Sequence, residues 1–296
     1  MNILIGGASG LVGSALCDHL VSSGHQITRL VRRQTEVGRD GILWSPRSGQ
    51  LTLPEETTFD AVIHLGGSNI AGGRWTRRRK RELRDSRIES THLLAQTLAA
   101  SPRKPKIFAC ASAVGIYGDR GDELLTEESS SGTDFLGRLA REWEAACHPA
   151  GQAGIRVVHL RLGVVLSRAG GALARMLTPF RMGFGGRLGS GRQYMSWISL
   201  EDAVRAIEFC LSRDSLKGPV NLASPHPVTN REFTRELASA IHRPAWFPVP
   251  AWILRMLLGE MADAALLSST RALPEKLIHA GFEFRHPELC GVFRDF

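Results

Sequence analysis

The stretch "MNILIGGASGLVG" at the start of the chain restricts the fold more than any other part of the sequence. A short apolar run leads into glycines at 7, 10 and 13, and "LVGSALCDHLVSSGH" continues with helical spacing up to a stop at Gly24. Strand, glycine turn and helix, in that order, are the setting in which a turn can cradle a pyrophosphate. One glycine permits the tight turn, one lets the backbone approach the phosphates, and one lets the helix pack on the sheet. Backbone N–H groups and the positive end of the helix dipole then face the phosphate charge. The spacing is GxxGxxG rather than GxGxxG, with the same mechanics. We therefore expect a dinucleotide cradle at Gly7, Ser9, Gly10, Leu11 and Val12.

The alternation continues downstream. "QITRLVRR" (26–33), "GILWS" (41–45), "FDAVIHLGG" (59–67), "KIFACAS" (106–112) and "IRVVHLRLGVVL" (155–166) read as strands, with helices over 76–100 and 135–147. Apolar runs ending in glycine are the signature of parallel strands buried on both faces. The fold class expected is α/β: a Rossmann-type doubly wound parallel sheet with a smaller, interleaved C-terminal lobe. Residues 1–166 would form the cofactor-binding domain, rejoined by 196–224, where "PVNLAS" returns a strand. Residues 167–195 and 225–296 would form the lobe on the substrate side.

Selectivity between dinucleotides follows from charge. An acid about 20 residues past the glycines favours NAD, whereas an arginine there suits the 2′-phosphate of NADP. Arg32 and Arg33 stand at that point, and "LVRR" contains no acid. A charge-assisted hydrogen bond worth about 1.5–3 kcal/mol corresponds to about a tenfold to hundredfold preference, so NADP(H) is expected. Arg87 shares an inward helix stripe with Leu83, Thr91, Leu94 and Leu98. A buried guanidinium needs a partner, either the cofactor phosphates or a carboxylate.

Other partners are less favoured. The net charge of +8 is concentrated in "RWTRRRKRELRDSR" (74–87), which reads as a solvated helix face; no nucleic acid is expected, because no zinc-finger, stacking-aromatic or helix-turn-helix pattern accompanies it. No run is long and uncharged enough to span a membrane, and no signal peptide is evident. Five scattered cysteines without a CxxC suit reduced thiols in the cytoplasm and no metal site.

The pieces "GGASGLVG", "DAVIHLGG", "ASAVGIYGD", "LRLGVVL" and "SWISLEDAVRAI" together resemble the extended short-chain dehydrogenase/reductase superfamily, of the NAD-dependent epimerase/dehydratase type. "RW…SRIEST", "PFRMGFGGRLGSGRQYMSWI" and "RALPEKLIHAGFEF" are similar to its atypical branch of nucleoside-diphosphate-sugar epimerase-like proteins. That resemblance implies NADP contacts at Val31, Arg32, Leu65, Gly66, Arg87 and Val164. It also implies a Tyr-x-x-x-Lys helix as the proton relay, and here the sequence departs. Its two tyrosines, Tyr117 and Tyr194, are followed at +4 by Gly121 and Ile198, and the expected place holds Phe135 and Leu139. Such a relay is commonly worth about 10²–10⁴ in rate.

Ser112, at the end of the 106–112 strand, and Tyr117, just beyond it, are the remaining catalytic candidates; they line the pocket, donate a proton, or merely pack. Arg192 and Gln193, in a glycine-rich loop, are substrate candidates, with a plain solvated loop as the alternative. Asp202 reads as a helix cap or dipole partner, His64 as a satisfied core histidine, and "RPAWFPVPAW" (243–252) as packing of the small lobe or a ligand wall. The function expected is an NADP(H)-binding epimerase- or oxidoreductase-like protein acting on a small polar substrate. The alternative is a non-catalytic NADPH-binding sensor or scaffold. The sequence leaves homo-oligomerisation open.

Overall fold

The computed structural model describes residues 1–38, 40–54 and 57–294. Its sheet has eight strands: β1 (Asn2–Gly6), β2 (Gln26–Val31), β3 (Gly41–Ser45), β4 (Gln50–Leu51), β5 (Ala61–His64), β6 (Ile107–Ala113), β7 (Arg156–Leu162) and β8 (Gly218–Leu222). Their order is β8-β7-β6-β5-β1-β2-β3-β4, and every pairing is parallel except that of β3 with β4. The order runs outward in both directions from β1, so the crevice between β1 and β5 is the switch point where open α/β sheets take ligands.

All four residues of β5 and six of seven in β6 are buried, which explains their unbroken apolar sequence. Successive residues feed opposite faces of the sheet. Ile3, Ile5 and Ile63 pack with Leu16 and Leu20 of α1 (Leu11–Ser22), and with Ile207 of the later helix Leu200–Ser212. Leu4, Val62 and Phe108 pack with Leu94 and Leu98 of α2 (Arg77–Ala100) and Trp143 of α3 (Phe135–Ala145). Helices therefore cover both faces, as the alternation predicts. Thr76 caps α2, and the buried stripe of that helix includes Leu83, Arg87, Thr91, Leu94 and Leu98. The basic run at its start is laced with acids: Arg79 meets Glu82 at 2.7 Å, Lys80 meets Glu260 at 2.5 Å, and Arg84 meets Glu142 at 2.8 Å.

One expected strand is two. The 155–166 run breaks at Gly163, where a Cβ would lie 2.9 Å from the Ser196 carbonyl oxygen. Beyond it Val164–Leu166 leaves the large sheet and pairs with Trp197–Ser199. Ser199 is the residue that caps the following helix, Leu200–Ser212, while Asp202 sits in its first turn. The fully buried Asp202 carboxylate accepts hydrogen bonds from the backbone N–H groups of Arg285 and His286, both at 2.8 Å. It thereby fastens the C-terminal segment to the helix Leu200–Ser212.

His64 is buried, but only half satisfied. The Ser90 hydroxyl donates to the Ser86 carbonyl at 2.8 Å, so His64 Nε2 is the donor in its 3.0 Å contact with Ser90. Its Nδ1 has no hydrogen-bond partner. Burial pulls the imidazole down from 6.5 to about 4. Because the folded state resists this protonation, His64 withdraws stability as pH falls from 6.5 towards 4 and withdraws no more below that. The loss amounts to about 3 kcal/mol. Urea titrations across that window should show a shallower pH dependence for His64→Gln than for the parent, and an unchanged slope would contradict the assignment.

Candidate cofactor and active site

At the switch point the backbones meet so closely that glycine is obligatory at two positions. Gly7 has φ +84°, and a Cβ there would lie 2.7 Å from the Gly66 nitrogen and the Leu65 carbonyl carbon. A Cβ on Gly13 would lie 2.2 Å from the Gly7 carbonyl oxygen, so this glycine sets the helix against the turn. Gly10 differs, since a Cβ there would meet only the Gly7 oxygen, at an ordinary 3.5 Å. It caps α1 with no side chain to bond the first-turn N–H groups, the arrangement that suits an external anion.

Around the cradle, Ser9 is exposed, Leu11 and Val12 are partly buried, and Leu11 abuts Gly170 and Gly171. Leu65 donates its N–H to the Gly6 carbonyl at 2.8 Å, which places Leu65 and Gly66 directly across from the turn. Val31 ends β2, opposite Leu43 of β3. Arg32 follows it, exposed and without an ion pair among the described residues, whereas Arg33 turns to Glu36 at 3.8 Å. Val164 lies beyond the end of β7, its N–H held by the Ser196 carbonyl at 2.8 Å.

Arg87 is buried among neutral partners. Its guanidinium donates to the carbonyls of Leu83 (3.0 Å) and Ser68 (2.9 Å), lies over the Trp143 ring, and pairs with no carboxylate among the described residues. Burial first, and then the charge of Arg79, bring it down to about 10. A Cβ on Gly67 would lie 3.1 Å from its Cζ, so this cation rests against the loop that leaves β5. A bare glycine turn, a free arginine after β2 and a buried cation without a counter-charge together fit a phosphorylated dinucleotide.

The positions where the resemblance expects the proton relay, Phe135 and Leu139, are apolar. Phe135 meets Trp75 edge-on at 5.1 Å, and Leu139 is buried with Trp75, Leu83 and Met261. The expected substitutes are engaged inside the protein. Ser112 donates to Glu144 Oε1 at 2.7 Å, and Glu144 accepts two bonds from Arg161, at 2.8 and 3.0 Å. Arg161 also donates to Tyr117 Oη at 2.9 Å, and Tyr117 donates to Asn221 Oδ1 at 2.8 Å. Tyr117 is wholly buried; desolvation raises its phenol above the ordinary range despite the opposing pull of Arg161. Neither the proton-donor nor the pocket-lining role suits Tyr117, because its hydroxyl reaches no solvent and is spent on two protein partners. Ser112 is likewise spent on Glu144.

Gln193 requires a similar correction. It is buried, and its side-chain amide donates to the carbonyls of Leu188 (3.0 Å) and Leu266 (3.1 Å), which ties its loop to the C-terminal segment rather than presenting it to a ligand. Arg192 beside it is exposed. Of these features the sequence reading missed Glu144, Arg161 and Asn221. The signal available for Arg161 and Asn221 was a polar residue at an inward position of an otherwise apolar strand, as in "HLRLG" and "PVNLA"; Glu144, on α3, carried none.

A model of the NAD dependent epimerase/dehydratase family matches residues 3–223. The chain belongs to that family. A second model, described as a domain of unknown function, matches residues 249–296. An epimerase family protein of Mycobacterium bovis is 48% identical over 284 residues, covering 96% of this chain and 93% of the relative. The Bacillus subtilis epimerase family protein YfhF is 36% identical, over 98% of this chain and 95% of its own. The crystal structure of human epimerase family protein SDR39U1 with NADPH superposes with a TM-score of 0.92 at 32% identity, covering 100% of this chain and 98% of that one.

Within this family member, the buried chain from Ser112 to Asn221 is a structural element. Arg161 is the buried cation whose counter-charge is present: burial alone would lower its pKa, yet the bonds to Glu144 raise it above the usual guanidinium range. Arg161→Met should therefore cost about 3–5 kcal/mol of stability by stranding Glu144. Tyr117→Phe should cost about 1–3 kcal/mol. Urea midpoints at constant slope would measure both, and values near zero would dismiss the structural role.

Proposed function

We propose that this chain is an NADP(H)-binding, epimerase- or oxidoreductase-like protein that acts on a small polar substrate without the Tyr–Lys relay. One observation carries the reading: Arg87 is a buried cation with no carboxylate partner among the described residues, at the strand-end loop that faces the glycine turn. The relative crystallised with NADPH supports the same cofactor here. Gly7, Ser9, Gly10, Leu11 and Val12 would hold the pyrophosphate through backbone groups, and Val31 and Arg32 the 2′-phosphate end. Leu65, Gly66, Arg87 and Val164 would take the remainder. Residues 1–166 with 196–224 would act as the cofactor-binding body, and 167–195 with 225–296 as the substrate-side lobe carrying Arg192.

A dinucleotide held there supplies a hydride. The chain's own residues bind and orient, and a balancing proton would be exchanged with water, because the hydroxyls of Ser112 and Tyr117 are committed to Glu144 and Asn221. A second reading, a cofactor-dependent sensor or scaffold, is favoured by the apolar packing of Phe135 and Leu139 at the relay's place.

Calorimetric titration tests the cofactor assignment. NADPH should bind more tightly than NADH, and Arg32→Glu should erase a preference of about tenfold or more. Equal weakening of both would sink the role of Arg32. Arg87→Met should weaken both dinucleotides, and unaltered binding would remove the observation on which the proposal stands. Nicotinamide absorbance that responds to a sugar nucleotide or small carbonyl compound supports turnover; its indifference to all of them supports the sensor.

A further inference from the structure

The C-terminal lobe shows an exposed apolar face that neither cofactor nor core explains. Seven of the twelve exposed large apolar side chains among the described residues fall within two short segments, 182–184 and 246–257. They include Phe184, Phe247, Met256 and Leu257, and above all Trp246 and Trp252, which are 79% and 63% exposed. The packing expected of "RPAWFPVPAW" is thus not what these aromatics do. The two segments lie against each other. Val249 donates to the Arg187 carbonyl and Gly189 to that of Val249, both at 2.9 Å, and a Cβ on Gly186 would collide with the Phe247 carbonyl oxygen. Prolines at 244, 248 and 250 restrict the backbone on either side of Trp246 and Phe247, so the aromatics are displayed from a stiff segment. On the helix Ala251–Leu258, Trp252 and Met256 are one turn apart on one face.

Beside Trp246 lies a cavity of about 290 Å³, lined by Arg187, Arg231 and Arg235 and by no acid. Arg231 and Arg235 are one turn apart on the helix Asn230–Ala240. The acids on that helix are engaged elsewhere or outnumbered: Glu232 closes the helix cap with Thr229, and Glu236 meets Arg235 at 3.1 Å.

We propose that this face docks an acidic segment of another protein, with an apolar anchor on the Trp246–Trp252 face and a carboxylate in the arginine-lined recess. Tryptophan and arginine side by side are the composition that dominates binding energy at protein interfaces. A second copy of this chain would set one arginine rim against another. A bilayer presents its headgroup charges above its apolar layer over the whole surface, whereas the recess and the apolar face here lie side by side. An acidic segment satisfies both features.

The probe is a labelled peptide alternating glutamate with leucine and tryptophan, read by fluorescence anisotropy on the full chain, with a lysine-for-glutamate peptide as control. The acidic peptide should bind, weaken with added salt, and lose about tenfold or more in affinity with Trp246→Ser or with Arg231→Glu. Both side chains are exposed, so thermal unfolding should be unchanged in either variant. Failure to bind, equal binding of the lysine peptide, or indifference to both substitutions overturns the proposal. So does loss, by the same variants, of binding to phosphatidylserine–phosphatidylcholine vesicles where the peptide does not bind. Self-association in sedimentation that the same variants abolish overturns it as well.

Discussion

Everything at the switch point depends on one close approach. The Gly7 carbonyl lies so near α1 that Gly13 cannot carry a Cβ, and Gly7 itself is pressed against Leu65 and Gly66 in a conformation that only glycine adopts readily. This contact fixes the helix, the β1 turn and the loop after β5 as one unit. The first turn of α1, uncapped by any side chain, is then held opposite Leu65, Gly66 and Arg87. A larger residue at either position would push the helix away from the sheet and separate groups that come from distant parts of the chain.

Two arginines are buried among the described residues, and they are of opposite character. Arg161 is matched by Glu144 through two hydrogen bonds and is held charged beyond its ordinary range. Arg87 has carbonyls and an aromatic face but no negative charge among the described residues, and its pKa is depressed. Burying a cation without a counter-charge is costly, and a fold tolerates it where a ligand brings the missing charge. The contrast separates the two halves of the site. Arg161 lies at the end of the sheet beside Ser112 with its counter-charge in place, whereas Arg87 rests against the loop after β5 with only neutral partners among the described residues.

What was legible in the sequence was what repeats locally. The glycine spacing, the apolar strands and the inward stripe of α2 are periodic features, and each appears where its period places it. Arg87 could be placed on the buried face for the same reason, but its freedom from carboxylates could not, because that depends on which acids the fold brings near. The network through Glu144 was hidden by distance: Ser112 and Glu144 are 32 residues apart, and Tyr117 and Asn221 are 104 apart. No local pattern pairs such residues. The break at Gly163 was missed because an apolar run reads as one strand until a second backbone, here that of Ser196, approaches it.

The helix at the place where the family resemblance expects a Tyr–Lys pair is packed by apolar side chains. With Phe135 and Leu139 in place of a hydroxyl and an ammonium, this helix packs on Trp75, Leu83 and Met261, and so joins the start of α2 to the C-terminal segment. Lys80 lies over the Phe135 ring and reaches across to Glu260, reinforcing the same junction. A polar relay at these positions would have to be desolvated between the same apolar neighbours, at a cost that only catalytic hydrogen bonds could offset. Polar groups are gathered instead around Arg161, where Ser112, Tyr117, Glu144 and Asn221 each find a partner. The place where the family resemblance expects a relay is therefore filled by contacts that join α3 to the start of α2 and to Met261.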